Sequence, residues 1–130
     1  MLQPEHRPDE AGHILVVDDQ ISIREMMSEF LRHLGYGVTL DEGGHRAIAL
    51  FSSGRFDLVL LDVVMPGMTG IEVFRVIRKF DPQAKVILFS GQPFAQPYRE
   101  LLDEGLRGFI KKPFDLDDRS SLLAAQLHQR

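Results

Sequence analysis

The feature that most constrains the fold of this chain is a series of five short apolar segments, each followed by a longer stretch of helical character. Three of the segments are continuous β-branched or aliphatic runs, which is typical of strands that helices cover on both faces of a parallel sheet. The pattern therefore predicts five strands, at Ile14–Val17, Val38–Leu40, Leu58–Leu61, Val86–Phe89 and Phe109–Ile110.

The intervening stretches carry apolar residues at three- and four-residue spacing, which is the pattern of an amphipathic helix. In the first of them this spacing runs to Leu34, and Gly35 follows at the position where helices commonly end in glycine. A strand-then-helix order repeated five times predicts an α/β fold with a doubly wound parallel sheet. The five predicted helices lie at Ser22–Leu34, His45–Ser53, Ile71–Phe80, Tyr98–Glu104 and Leu116–His128.

The length and charge of the chain narrow the possible functions. Its 130 residues fit one domain, which we place at residues 13–130, and residues 1–12 with Pro4 and Pro8 are interpreted as a flexible N-terminal tail. The absence of cysteine excludes disulfides and thiolate metal sites and is consistent with a cytoplasmic location. A net charge of -4 without a basic cluster argues against direct nucleic-acid binding. No apolar run approaches the roughly 18 residues that a membrane span requires.

Polar residues directly after the apolar runs are the candidates for chemistry, because the reactive crevice of an open parallel sheet lies beyond the carboxyl ends of its strands. Taken singly, each has an ordinary explanation: an aspartate pair that caps the next helix, a loop aspartate, a turn serine or solvated lysines. These candidates are Asp18, Asp19, Asp62, Ser90, Lys111 and Lys112, whereas Asp41 follows the second run with nothing else there that suggests chemistry.

Together these residues have the composition of a phosphoryl-transfer site. Three crowded carboxylates repel one another, and a hard divalent cation such as Mg²⁺ relieves the repulsion and favours phosphate oxygens. A lysine and a hydroxyl can bind further phosphoryl oxygens, and an aspartate can carry the group covalently. Because adjacent strand residues point to opposite sides, only one of Lys111 and Lys112 is expected to enter the site.

At these residues the sequence resembles the receiver domain of bacterial response regulators, the phosphorylated partners of two-component systems. The resemblance runs from about Ile14 to the C-terminal helix. It implies a flavodoxin-like strand order of 2-1-3-4-5 and a signalling domain that promotes only its own phosphorylation and dephosphorylation. The matching stretches are Ile14–Asp19, Asp57–Gly70, Ser90–Gly91 and Gly108–Phe114.

The resemblance also implies a role for each acidic residue. Asp62 corresponds to the phosphoacceptor, and its carboxylate also contributes to the metal site. Asp19 corresponds to a direct metal ligand and Asp18 to a ligand that acts mainly through water. The backbone carbonyl of Val64 corresponds to a further ligand, and the ion is expected to be Mg²⁺ or Mn²⁺.

The remaining site residues follow from the same resemblance. Lys112 and Ser90 correspond to the groups that bind the phosphoryl oxygens, which leaves Lys111 outside the site. Ser90 and Phe109 correspond to the pair that switches on phosphorylation. Gly91 allows close backbone approach, and a cis peptide bond is expected before Pro113.

The partners implied by the resemblance are a sensor histidine kinase or a histidine phosphotransfer protein as donor, and an unknown output partner. Output is expected from the surface of the fourth helix, fifth strand and fifth helix. Pro93 and Pro97 before the fourth helix, and Arg119–Ser121 in the fifth, depart from the usual pattern there. These departures argue against carrying over the family's dimer mode, and the chain is expected to be a monomer or a phosphorylation-dependent dimer.

Three alternative functions remain open from the residues. A phosphatase of the haloacid dehalogenase type carries Asp-x-Asp after its first strand, whereas this chain has adjacent aspartates followed by Gln20. A flavodoxin-like cofactor binder needs a hydroxyl- and glycine-rich phosphate loop, and Asp18–Asp19 would repel the cofactor phosphate. A pseudo-receiver that only docks partners usually lacks one of the site residues, and all of them are present.

Overall fold

The computed structural model describes residues 12–91 and 98–111. Within these ranges, strands and helices alternate along the chain, as the apolar pattern predicts. The strands are β1 (His13–Val17), β2 (Gly37–Asp41), β3 (Leu58–Asp62), β4 (Val86–Ser90) and β5 (Gly108–Lys111). The helices are α1 (Ile21–His33), α2 (Gly44–Ser53), α3 (Gly70–Phe80) and α4 (Tyr98–Asp103). The predicted fifth helix and the N-terminal tail lie outside the described residues.

The five strands form one parallel sheet in the order β2-β1-β3-β4-β5. This order confirms the predicted doubly wound, flavodoxin-like sheet. Val17 at the end of β1 pairs with Asp41 of β2 and with Leu61 of β3, so the carboxyl ends of these three strands lie side by side. The order places β1 and β3 at the centre, next to each other, where a crevice is expected.

The core consists of two apolar clusters, one on each face of the sheet. Because side chains alternate along a strand, Leu15 and Val17 belong to one cluster and Ile14 and Val16 to the other. Every residue of β3 and of β4 is buried, which explains why these two strands are continuous apolar runs in the sequence. The sheet is therefore covered by helices on both faces and is a rigid support for residues at its edge.

Each observed strand is one or two residues longer than the apolar run that predicts it. At four strands the extension adds a polar residue at the carboxyl end, because the ladder continues past the last apolar side chain. These residues are Asp41, Asp62, Ser90 and Lys111. Three of the four are buried, and Lys111 is exposed.

Helix α3 begins with a capping box, in which the Thr69 hydroxyl accepts a hydrogen bond from the Glu72 backbone N–H and the Glu72 carboxylate accepts one from the Thr69 backbone N–H. The reciprocal pair satisfies backbone donors at the start of α3 and fixes the point where the chain leaves β3. Among the described residues, none of the helices is long and apolar enough to cross a bilayer.

Candidate functional site

Three carboxylates converge at the carboxyl ends of β1 and β3. Asp18 and Asp19 follow β1 directly, and Asp62 is the last residue of β3. One carboxylate oxygen from each of the three lies within 4.8 Å of the others. Asp18 and Asp62 are buried and Asp19 is exposed, so the cluster opens to solvent on one side. The sheet brings together the three acidic residues that the sequence places far apart.

Asp18 is held in place through both its backbone and its side chain. Its backbone N–H donates to the carbonyl oxygen of Asp41 at 3.1 Å, just beyond the last paired residues of β1 and β2. Its carboxylate Oδ1 accepts a hydrogen bond of 2.8 Å from the backbone N–H of Gln20, and its carbonyl oxygen accepts one of 2.7 Å from Arg24 Nη1. Asp18 therefore does not cap α1, whose N-cap is Gln20 without a side-chain capping hydrogen bond, and its carboxylate instead stabilises the turn before the helix and belongs to the cluster.

Asp62 is positioned by the sheet and by the start of α3. The backbone N–H of the next residue, Val63, donates to Phe89 in β4 at 2.9 Å, and the Val63 carbonyl accepts from the backbone N–H of Gly70 at 2.9 Å. Gly70 lies so close to the main chain of Asp62 that a Cβ atom at this position would overlap the Asp62 carbonyl oxygen. A glycine at the first position of α3 therefore allows the loop to close tightly behind the carboxylate.

Val64 lies two residues beyond Asp62, in the loop between β3 and α3. Its side chain is 51% exposed. It lines a shallow apolar cavity of about 380 Å³ together with Met65, Ile71 and Arg75, among other residues. An apolar side chain is therefore exposed to solvent next to the carboxylate cluster.

Ser90 and Phe109 lie on the two strands beyond Asp62. Ser90 ends β4 and is buried, one residue past Phe89, which pairs with Asp62. Phe109 in β5 is half-buried, pairs with Leu88 and packs against the cluster that contains Leu15. Ser90 is therefore at the edge of the carboxylate site, and Phe109 is one strand further out.

The fifth strand ends at the first of the two adjacent lysines. Lys111 ends β5, pairs with Ser90 and is exposed, in agreement with the interpretation of this side chain as solvated. Gly91 is exposed directly after Ser90. Lys112 and Pro113, including the expected cis bond, lie outside the described residues.

The donor set matches a hard divalent cation. Three carboxylates supply only oxygen ligands, which Mg²⁺ and Mn²⁺ prefer, and one exposed carboxylate leaves room for water or a phosphoryl oxygen. The three formal negative charges repel one another, and a divalent cation at this point offsets that repulsion. The residues present therefore fit such an ion.

Arg24 and Asp41 both contact Asp18, although the sequence pattern assigns neither of them to the site. Arg24 binds the Asp18 carbonyl from α1, and Asp41 binds the Asp18 backbone N–H while its own carboxylate accepts from Gly43 and pairs with Arg46 at 3.2 Å. An arginine in an otherwise amphipathic helix carries no distinctive sequence signal. Asp41 does carry one, since it follows an apolar run just as Asp62 does.

The chain is similar in sequence and fold to proteins of a known family. The family model for the response regulator receiver domain matches residues 14–124. The transcriptional regulatory protein YkoG of Bacillus subtilis is 36% identical over 120 residues, which cover 92% of this chain and 53% of YkoG. Sporulation initiation phosphotransferase F of the same organism is 34% identical over 105 residues, covering 81% of this chain and 85% of that protein.

A solved structure with the same fold is the response regulator protein TrrA from Thermotoga maritima, in complex with Mg²⁺ and BeF. It is 36% identical, has a TM-score of 0.78, and the match covers 88% of this chain and 97% of TrrA. The chain spans about half the length of YkoG.

Proposed function

This chain belongs to the response regulator receiver domain family of two-component systems, and on that basis we propose that Asp62 accepts a phosphoryl group from a phosphohistidine in a reaction that requires Mg²⁺. The observation that carries the proposal is the cluster of three carboxylates within 4.8 Å, with Asp62 buried at the end of a central strand. The donor is a sensor histidine kinase or a histidine phosphotransfer protein. The domain is a signalling module that acts only on its own phosphorylation state.

In the proposed transfer, an oxygen of the Asp62 carboxylate forms a bond to phosphorus while the phosphorus–nitrogen bond of the phosphohistidine breaks. The imidazole nitrogen keeps the electron pair and is then protonated by solvent. Dephosphorylation ends the signal: water forms a bond to phosphorus while the bond from phosphorus to the Asp62 oxygen breaks, which gives the Asp62 carboxylate and inorganic phosphate. Both steps spread charge over the phosphoryl oxygens, so the protein contributes mainly by positioning and electrostatic stabilisation.

The ion would be held by Asp18, Asp19, Asp62 and the backbone carbonyl of Val64. When bound, it neutralises the acidic cluster and stabilises charge on a phosphoryl oxygen. Mn²⁺ offers the same preference for oxygen ligands and is expected to substitute for Mg²⁺.

The other oxygens of the phosphoryl group need donors from the chain. The hydroxyl of Ser90 lies at the end of β4, next to Asp62 on β3, and can donate to one of them. Lys112 is proposed to bind another through its ammonium group, while exposed Lys111 stays outside the site. Gly91 has no side chain, so its backbone can come close to the phosphoryl group beside Ser90.

Output is proposed to leave through the surface of α4, β5 and the predicted fifth helix, toward a partner or an output domain. Ser90 and Phe109 connect the site to this surface, because they lie on β4 and β5, the two strands nearest to α4 along the chain. The oligomeric state, monomer or phosphorylation-dependent dimer, and the cytoplasmic location stay predictions.

The proposal is tested by incubating the protein with acetyl phosphate and Mg²⁺ and measuring its intact mass. The wild-type chain should gain one phosphoryl group, excess chelator should prevent the gain, and Asp62→Asn should abolish it. Asp57→Asn is the matched control, since Asp57 is an exposed aspartate at the opposite end of β3 and its oxygen accepts from the His13 backbone N–H. Asp57→Asn should label normally.

Two outcomes contradict the proposal. Stoichiometric labelling of Asp62→Asn would place the phosphoryl group elsewhere. Sustained turnover of a small phosphomonoester by the wild-type chain would favour the phosphatase alternative, because a receiver is expected to show none.

A further inference from the structure

We propose that Arg24 is a positioning residue for the divalent-cation site, which it controls by fixing the main chain of Asp18. This inference rests on the proposed function, because it concerns how the carboxylates of that site are held. Arg24 touches neither the phosphoryl group nor the ion in the proposal, and acts only through Asp18.

The first observation is the hydrogen bond that joins α1 to the end of β1. Arg24 Nη1 donates to the carbonyl oxygen of Asp18 at 2.7 Å, across six positions of the chain. The backbone N–H of Arg24 donates to Gln20 at 3.1 Å, so the residue is itself anchored in the first turn of α1. The Arg24 side chain therefore links the first turn of α1 to the main chain of Asp18.

The second observation is that the hydrogen-bonded pairing of β1 with its neighbours ends at Val17, directly before Asp18 and Asp19. β1 pairs with both of its neighbours up to Val17, and the backbone N–H of Asp18 donates to Asp41 just beyond that point. The carbonyl oxygen of Asp18 accepts a hydrogen bond from the Arg24 side chain. The guanidinium thus extends the rigidity of the sheet by one residue.

The start of α1 does little to fix this turn by itself. Its N-cap, Gln20, makes no side-chain capping hydrogen bond, and the first turn of the helix has no acidic residue. This contrasts with α3, which begins with a complete capping box at Thr69 and Glu72. The Arg24 contact to the Asp18 carbonyl and the Asp18 carboxylate contact to the Gln20 backbone N–H therefore connect the β1–α1 turn to the start of the helix.

The positively charged Arg24 side chain has two opposed effects on the affinity of the site for a metal ion. Its positive charge lowers affinity for a second cation, while its hydrogen bond raises affinity by holding Asp18 and Asp19 at the geometry that the ion needs. The charge is partly screened, because Asp19 is exposed and the cluster opens to solvent. The positioning effect should therefore dominate, and loss of Arg24 should weaken metal binding.

The test measures Mg²⁺ affinity by isothermal titration calorimetry in the absence of any phosphodonor, together with thermal unfolding. Arg24→Met keeps the length and apolar stem of the side chain but removes the donor. It should raise the Kd for Mg²⁺ by about tenfold or more, the size typical of residues that orient metal ligands. Labelling by acetyl phosphate should slow at low Mg²⁺ and recover toward the wild-type rate when Mg²⁺ is saturating.

Arg32→Met is the matched control. Arg32 lies on the same helix and makes the same kind of contact, from its guanidinium to the backbone carbonyl of Val38 at 2.8 Å, but at the opposite end of α1. It should lower the unfolding temperature without changing Mg²⁺ affinity. Arg24→Lys keeps a charged donor and should restore part of the affinity, and it replaces Arg24→Met in the comparison if the methionine variant does not fold.

The outcomes separate this inference from the proposed function. Wild-type protein that binds no Mg²⁺ overturns both. If wild-type protein binds Mg²⁺, the positioning role alone is overturned by unchanged or tighter affinity in Arg24→Met, or in Arg24→Lys where the methionine variant does not fold. An equal loss of affinity in Arg32→Met would overturn it as well, because the effect would then come from the general stability of α1.

Discussion

The backbone of Gly70 lies against the main chain of Asp62. A Cβ atom at Gly70 would lie 2.9 Å from the carbonyl carbon of Asp62 and 3.0 Å from the Cα of Val63, closer than side chains normally pack against a backbone. The neighbouring atoms belong to the rigid end of β3, so they cannot move aside without displacing the carboxylate. The absence of a side chain at Gly70 is thus a condition for the geometry of the site.

Gly70→Ala should lower stability and slow phosphorylation together. The added methyl group pushes α3 away from the end of β3, and overpacking of this kind costs about 1–3 kcal/mol. Denaturant unfolding and the rate of labelling by acetyl phosphate check the two effects. Gly43→Ser is the control, because a Cβ atom at Gly43 meets nothing within 4 Å and serine is favourable at this N-cap of α2. Equal behaviour of the two variants would show that Gly70 does not constrain Asp62.

Val64→Asn should shorten the lifetime of the phosphorylated protein moderately. The Val64 side chain is 51% exposed two residues beyond Asp62, and an apolar group there cannot orient an attacking water by hydrogen bonding. An amide can do so. Loss of the label is followed by intact mass after the phosphodonor is removed. Phe80→Asn, another exposed apolar side chain (59%), is the control and should leave the lifetime unchanged. An unchanged lifetime in Val64→Asn would rule out a role for this side chain.

The sequence predicts those parts of the fold that depend on residues close to one another along the chain. β3 and β4 are recognisable because every one of their residues is buried, and their polar terminal residues, Asp62 and Ser90, mark the edge where the site forms. A repeated strand–helix order then places these ends at one edge. The candidate carboxylates follow from that rule alone.

The contacts that hold the site in place depend on distances that no local pattern carries. Arg24 reaches the Asp18 carbonyl only because α1 leaves β1 at a particular angle, and Gly70 matters only because the chain returns to the main chain of Asp62. The ion pair of Arg75 with Glu104 joins residues 29 positions apart. Such contacts depend on how helices and strands pack against each other. A single sequence predicts the helices and strands themselves better than it predicts their relative orientation.

The Arg75–Glu104 ion pair should give the stability of the domain a measurable pH dependence. The side-chain hydrogen bond from Arg75 lowers the pKa of Glu104 below its usual value. Because the pKa of Glu104 is lower in the folded state than in the unfolded state, the ion pair stabilises the fold fully at pH values above the unfolded-state pKa. This stabilisation is lost as the pH falls through the folded-state pKa. The side chains are 45% and 40% exposed, so the pair should contribute only about 0.2–1 kcal/mol at neutral pH.

A double-mutant cycle of Arg75→Gln and Glu104→Gln measures this contribution by denaturant unfolding. The coupling free energy should be detectable at neutral pH in low salt, shrink in high salt, and vanish in acid once Glu104 is protonated. A coupling that persists unchanged in acid would mean that charge is not what joins α3 to the end of α4.

Phosphorylation of Asp62 should change the output surface through Ser90 and Phe109. Ser90 is buried at the end of β4, and Phe109 is half-buried on the neighbouring strand β5. A phosphoryl group on Asp62 should attract the Ser90 hydroxyl, because an anionic oxygen accepts a strong hydrogen bond from it. Movement of Ser90 toward Asp62 frees space beside β4, into which the ring of Phe109 can turn. The segment between Ser90 and α4 should move with them, since it follows Ser90 directly in the chain.

Amide hydrogen exchange with and without beryllofluoride and Mg²⁺ tests this sequence of movements. Exchange should change across residues 92–102 and in β5 when the phosphoryl mimic is added, and Ser90→Ala should reduce that change while Mg²⁺ binding is retained. Ser52→Ala is the control, because the Ser52 hydroxyl bonds only locally, to Ala49 in α2, far along the chain from β4. If wild-type exchange in these segments does not respond to the mimic, the signal leaves by another face. If Ser90→Ala responds fully, the hydroxyl is not the link, and the shift of Phe109 must have another cause.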